Sequence, residues 1–233
     1  MPATIWLNDQ PKASLGYQVQ ESGSIAHATQ TTTRERLVEA ARELFYLRGF
    51  AGTSVAEILK KAEVNSGSLY YFFKTKEDLL LAVLDRYVEL LHPLVIDPVF
   101  SRETDPVNRV FALLDGYRQG LLMTGCRQGC PIGNLALEMS DKSDAVRERI
   151  AVNFENWRVA VRQTLIDAGS RLRPDVDREK LATFVLTVME GGVMLARAGR
   201  SVEPFDASVA MLKDYFDRLT WADGGSGGPT TVD

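Results

Sequence analysis

The chain has 233 residues, 45% of them hydrophobic and 25% charged, with Lys+Arg 27 against Asp+Glu 31. That balance is ordinary for a globular chain and excludes a collagen-like, mucin-like or wholly disordered one. Two cysteines, Cys126 and Cys130, are too few for a disulfide framework, and neither the opening MPATIWLNDQPK nor the aliphatic run at 79–84 reads as a secretory signal or a bilayer span. A cytoplasmic protein with no membrane partner is expected.

The net charge of −4 is unevenly spread. Residues 31–86 carry nine basic and eight acidic groups, net +1, whereas residues 87–233 are net −4. Nucleic-acid binding therefore stays open, provided that any positive face is local.

Residues 1–30, rich in Gln, Ser, Ala and Thr without a sustained apolar period, read as a flexible arm. Leu37, Ala40, Ala41, Leu44 and Phe45 then recur on one helical face, which predicts a helix with Thr33 as N-cap and Gly49 as its stop. A short helix from about residue 54 buries Val55, Ile58 and Leu59. After a turn at Glu63, Val64 and Asn65 comes a third, very short helix at about 66–72. Thr75 caps a long helix running from Lys76 toward His92 and ended by Pro93. Further helices are expected at about 106–124, 132–140, 143–169, 177–199 and 205–221, and residues 224–233 (GGSGGPTTVD) read as a flexible tail. No segment shows strand alternation, so the expected fold class is all-α.

Two short helices joined by a tight turn and braced by a first helix make a helix-turn-helix. Asn65, Ser66, Gly67 and Ser68 put small polar groups at the start of the third helix. Backbone N–H groups there favour a phosphate, short side chains can enter a major groove, and Gly67 admits close approach. Thr53 and Ser54 open the second helix, Tyr70 and Tyr71 offer phenolic hydroxyls, and Lys74 and Lys76 supply charge. Leu69 and Phe73 also suit the core of a small domain, and for Tyr70 and Tyr71 core and contact roles stay open.

Arg34, Ala40-Ala41 through Phe45, the Arg48-Gly49-Phe50 turn, Thr53-Ser54-Val55 with Ile58, and Val64-x-x-Gly67-Ser68-Leu69-Tyr70-Tyr71-x-Phe73-Lys74-x-Lys76-x-x-Leu79-Leu80 stand in order. In them the stretch resembles the TetR family of bacterial transcriptional regulators. The resemblance implies a DNA-binding head at 31–76 and a helical effector-binding and dimerisation domain at 77–223. It also implies phosphate contacts at Thr53, Tyr71 and Lys76, with Asn65, Ser66 and Ser68 nearest the base edges. Glu63, Asn65, Ser66 and Phe72 depart from the Gly, Ser, Lys or Arg, and His often found there, which implies a different base preference and not lost binding.

Independently of the resemblance, segment 180–198 is apolar nearly all round, with small residues Ala182, Gly191, Gly192 and Ala196, and 205–221 adds Phe205, Val209, Leu212, Phe216 and Leu219 at helical spacing. Two such helices from each of two subunits would make a four-helix interface, and a buried core helix of a monomer is the alternative.

Gly129, Cys130, Gly133, Asn134 and Glu138 resemble a Gly-Cys-x-x-Gly-Asn-x-x-x-Glu pattern of one branch of such regulators. In that branch some members respond to electrophiles or oxidants through a cysteine and others bind small organic ligands. Cys130 stands just before a predicted helix, whose N-terminus lowers a thiol's pKa, with Arg127 nearby and Cys126 as a possible resolving thiol. A buried, inert thiol is the alternative. A pocket between the helices would draw on Phe111, Tyr117, Asn134, Glu138, Phe154, Trp157 and Glu190 with Cys130, though aromatic residues at this spacing also serve as plain core.

No nucleophile elbow, P-loop, paired-His zinc helix or dinucleotide motif is present, and the histidines are His27 and His92 alone. No enzyme activity, cofactor or metal site is therefore expected; a thiol-dependent enzyme and a helical protein-binding adaptor are the trailing readings. The expected function is a homodimeric repressor, released from a palindromic double-stranded operator by a small-molecule effector or, alternatively, switched at Cys130 with Cys126.

Overall fold

The computed structural model describes residues 32–220, so the expected arm at 1–30 and tail at 224–233 lie outside the described residues. Helix α1, Thr33–Arg48, is capped by Thr32 and not Thr33: the Thr32 hydroxyl accepts the Glu35 N–H (3.2 Å) while the Glu35 carboxylate accepts the Thr32 N–H (2.8 Å). This capping box satisfies two orphan donors at once, and only Thr32 stands at the right spacing from Glu35. Gly49 ends the helix at φ 77°.

The same device opens α2, Val55–Ala62, with Ser54 and Glu57. Glu63 closes it in the left-handed region at φ 54°, and Arg36 of α1 donates to the end carbonyls of Ala62 and Glu63. Helix α3, Ser66–Phe72, starts where Asn65 Oδ1 accepts the Ser68 N–H (2.9 Å). Leu37, Ala41, Ile58, Leu69, Phe73 and Leu79 are buried between these helices and the start of α4, Lys76–Leu90.

Pro93 does not end the long helix as expected. After α4 the chain widens into a π-type turn over Leu91–Ile96 and continues as α5, Asp97–Phe100. Proline has no N–H to give the α-ladder, and the i→i+5 spacing carries the chain past it.

The body comprises α6 (Pro106–Met123), α7 (Pro131–Met139), α8 (Asp144–Asp167), α9 (Arg178–Gly199) and α10 (Glu203–Leu219). No strand occurs among the described residues, only an isolated bridge between Leu172 and Thr220. The 24-residue α8 packs against α4, α6, α7 and α9, while α9 pairs with α10. Val110, Leu114, Val161, Leu165, Val185, Phe205 and Phe216 are buried in one core continuous with that of the head.

Helix α4 belongs to both parts and is fixed to the body along its length. The Ser143 hydroxyl donates to Glu77 (2.7 Å), Arg149 pairs with Asp85 (2.6 Å), and the buried Asn153 amide donates to the Leu84 carbonyl (3.1 Å).

Candidate nucleic-acid interface and effector pocket

Helix α3 presents Ser66, Gly67, Tyr70, Tyr71 and Phe72 to solvent, with Tyr71 83% exposed, while Leu69 alone of this helix is fully buried. Asn65 and Lys74 at its two ends are exposed, Ser68 is half-buried, and Ser54 is exposed at the start of α2. Small polar groups, two phenols and one lysine thus share one open face. The open question over the tyrosines falls on the exposed side, because the buried stripe of α3 is already filled by Leu69 and the adjoining Phe73.

Two expected phosphate contacts are corrected. Thr53 is 1% exposed, and its hydroxyl donates to the carbonyls of Gly49 (2.8 Å) and Leu44 (3.2 Å), closing the end of α1. A hydroxyl spent on buried carbonyls has nothing to offer a phosphate. Lys76 also turns inward: its ammonium donates to the Phe50 carbonyl and lies 4.1 Å from the centre of the Phe50 ring. Burial lowers the Lys76 pKa, and the carboxylates of Glu138 and Glu57 pull the other way.

Glu138 is the second partner in this cluster, and its expected place in the pocket is corrected as well. It projects from α7 onto the turn after α1, where Oε2 accepts the Phe50 N–H (2.8 Å) and Oε1 the Ala51 N–H (2.6 Å). Gly49 makes room for it, since a Cβ there would lie 2.8 Å from Glu138 Oε2. The carboxylate spans body and head, held by two charge-assisted bonds and a neighbouring ammonium. Its partners are 88 and 87 residues away in sequence, so no local pattern could have announced them.

The other end of α7 builds the pocket. A cavity of about 60 Å³ is lined by Tyr87, Tyr117, Cys130, Asn153, Phe154, Trp157, Met189 and Glu190 among others. Across Cys130, Phe154 and Glu190 lies a groove of about 490 Å³, which also takes in Gly129, Gly133, Asn134 and Arg197. Asn134 accepts from Arg197 Nη1 (2.5 Å), tying α7 to α9. Gly133 lets the Glu190 carboxylate pass, for a Cβ there would overlap Oε2. Phe111 is not part of either space: its ring meets Phe216 edge-on at 5.2 Å, joining α6 to α10. That is core packing, and the correction follows from the helix face on which Phe111 falls.

Of the two readings of Cys130, its surroundings favour the buried thiol. Cys130 does stand at the start of α7, but burial drives its pKa well above the usual thiol value. The adjacent Glu190 charge and hydrogen bond add to the rise, outweighing the favourable N–H groups of Gly133 and Ile132. A helix N-terminus cannot hold a thiolate in an apolar wall beside a carboxylate. Cys126 is likewise a buried free thiol, at φ 54° after α6, and lines neither space. Sequence reasoning missed Tyr87 and Arg197 as lining residues; Tyr87 sits in a stretch that reads only as a linking helix.

Comparison with known proteins agrees with this geometry at both ends of the chain. Residues 37–83 match the family of bacterial regulatory proteins of the tetR type, and residues 106–211 match the C-terminal domain of LmrA/YxaF-like transcriptional regulators. The transcriptional repressor DhaR of Mycobacterium sp. (strain GP1) is 32% identical over 180 residues, covering 76% of this chain and 88% of that one. The regulator LmrA of Bacillus subtilis (strain 168) is 29% identical over 187 residues, covering 80% and 97%. A TetR transcriptional regulator of Chloroflexus aurantiacus, known from its crystal structure, superposes with a TM-score of 0.69 at 31% identity over 81% of this chain and 96% of that one. With a helix-turn-helix head, an all-helical body and relatives of this closeness along most of its length, the chain belongs to the TetR family of bacterial transcriptional regulators.

Proposed function

We propose that this DNA-binding transcriptional regulator is a cytoplasmic homodimeric repressor that reads a palindromic operator with α3 and releases it when a small molecule occupies the space beside α7. In this reading Ser66, Gly67 and Ser68 lie nearest the base edges, with Asn65 ordering the start of α3. Ser54, Tyr70, Tyr71 and Lys74 meet the phosphates. Thr53 and Lys76 shape the head from inside.

The observation that carries the coupling is the Glu138 latch. One end of α7 lines the groove through Cys130, Gly133 and Asn134; its other end holds the turn between α1 and α2. A ligand that shifts α7 against α9 therefore acts on the head. Its effect can be no larger than its preference for one arrangement over the other.

The dimer reading rests on α9 and α10. By length and composition α9 is apolar enough to cross a membrane, yet Leu181, Val185, Met189 and Val193 of one face are buried in the core. Phe184, Met194 and Leu195 of α9, with Met211 and Tyr215 of α10, are exposed large apolar side chains. A second copy covering them would place two heads on two half-sites about 34–36 Å apart.

Fluorescence anisotropy of the full chain on double-stranded DNA from upstream of its own gene tests this. Saturable binding with one dimer per palindrome is expected, and scrambling the palindrome should weaken it by two orders of magnitude or more. Equal affinity for scrambled DNA would reject the repressor reading. Thiol switching is the second reading, and the burial of Cys130 beside Glu190 speaks against it: mild oxidant should leave binding unchanged.

A further inference from the structure

The inner cavity has an uneven chemistry. Four aromatic rings, Tyr87, Tyr117, Phe154 and Trp157, face it together with one carboxyl group, Glu190, and no basic side chain lines it. Tyr117 and Trp157 meet edge-on with ring centres 6.4 Å apart, the edge of one ring against the face of the other. The Glu190 carboxyl group takes a hydrogen bond from the Cys130 thiol and Oε2 is packed against Gly133, whereas Oε1 is buried without a hydrogen-bond partner. A buried carboxyl oxygen left in this way costs free energy unless something in the cavity satisfies it.

We propose that the effector is a small protonated amine carrying an apolar body, with its ammonium group in the inner cavity against Glu190 Oε1 and the aromatic rings, and its body in the adjoining groove. This deepens the regulator reading above and rests on it. Three properties of the site point to this class. The cavity of about 60 Å³ has room for a group of roughly two waters' volume, which suits an ammonium head and not a whole drug-sized ligand. Aromatic faces attract a cation through the ring quadrupole, most strongly where water is excluded. An anion would meet the Glu190 carboxyl group with no basic side chain lining the cavity; Arg197 lies in the groove with one guanidinium nitrogen on Asn134, and Arg42 is not a lining residue but stands over the Tyr87 ring. Burial raises the Glu190 pKa, and a bound cation would favour its ionised form.

The probes are benzylammonium, its neutral counterpart benzyl alcohol, and benzoate, each titrated calorimetrically into the full-length dimer. Benzylammonium should bind once per chain and about tenfold or more tighter than benzyl alcohol, with benzoate weakest. Glu190→Gln, checked for folding by its thermal melt, should level the amine and the alcohol by removing the charge. Equal or tighter binding of the alcohol or of benzoate overturns the proposal. So does an amine preference that survives in Glu190→Gln, or the absence of binding by all three probes at millimolar concentration. The panel on the unsubstituted protein decides the matter even if the variant fails to fold. Operator binding, followed separately by anisotropy without any amine, decides the regulator reading by itself, so intact DNA binding with no amine preference rejects the ligand class alone.

Discussion

Thr53 shows how a polar residue changes meaning once its surroundings are known. In a helix-turn-helix it reads as a phosphate contact; in the fold its hydroxyl closes α1. Thr53→Val keeps the shape and removes the hydroxyl proton shared between the Leu44 and Gly49 carbonyls, so it should destabilise the protein by about 1–3 kcal/mol in urea denaturation. Operator affinity, measured below the melting range, should stay within a few-fold of the original. Glu190 makes the pH-dependent case. Its pKa is raised from the model-compound value of 4.5 by burial, so the folded state holds the proton more tightly than the unfolded state. Stability from this group is then full at pH below that value and is lost as pH rises through the folded-state pKa. Relative to Glu190→Gln, the original protein should therefore lose stability as pH climbs through that window; paired melts across pH that stay parallel would sink the assignment.

Among the elements, α3 and α7 matter most. The open face of α3 offers Lys74 as its exposed basic group, since Lys76 is turned onto Phe50. Lys74→Ala should lower the slope of log affinity against log salt by about 0.9, one phosphate's worth. Lys76→Ala should leave that slope alone and instead destabilise the head by about 1–2 kcal/mol through the lost ring contact. If both variants change the slope alike, the inward placement of Lys76 is wrong. For α7, Glu138→Ala should speed amide exchange of Phe50 and Ala51 about tenfold or more while leaving the amides of α8 unchanged. Unaltered exchange at those two amides would remove the latch from the coupling route.

At the level of the whole molecule, the proposed dimer rests on the apolar residues left outside on α9 and α10. Phe184 and Tyr215 meet edge-on at 5.8 Å and form an exposed aromatic pair beside Met211. Phe184→Glu combined with Met211→Glu should give a monomer in sedimentation equilibrium, because two desolvated charges per copy would face each other across the two-fold axis. Operator affinity should drop with the dimer, while the helical content stays. A dimer that persists would place the interface elsewhere.

Apart from the cap of α1 and the end of α4, the helix boundaries were legible along the chain because they rest on local chemistry. Ser54 with Glu57 and Thr75 with Asp78 are capping pairs three residues apart, and Gly49 stops α1 by a backbone geometry that glycine reaches without strain. The order of spacings from Arg34 to Leu80 was enough to recognise the head. What depended on tertiary structure were the destinations of side chains. From the sequence Glu138 was a candidate pocket carboxylate and Cys130 either an activated or a buried, inert thiol, while the family resemblance implied a phosphate contact at Lys76. Folding put Glu138 on a turn almost ninety residues away, Cys130 in an apolar wall beside Glu190, and Lys76 on an aromatic ring. Caps and periodicity are set within one or two helical turns. Burial, charge neighbours and hydrogen-bond partners are set by whatever distant helix packs alongside, and so only the assembled fold decided them.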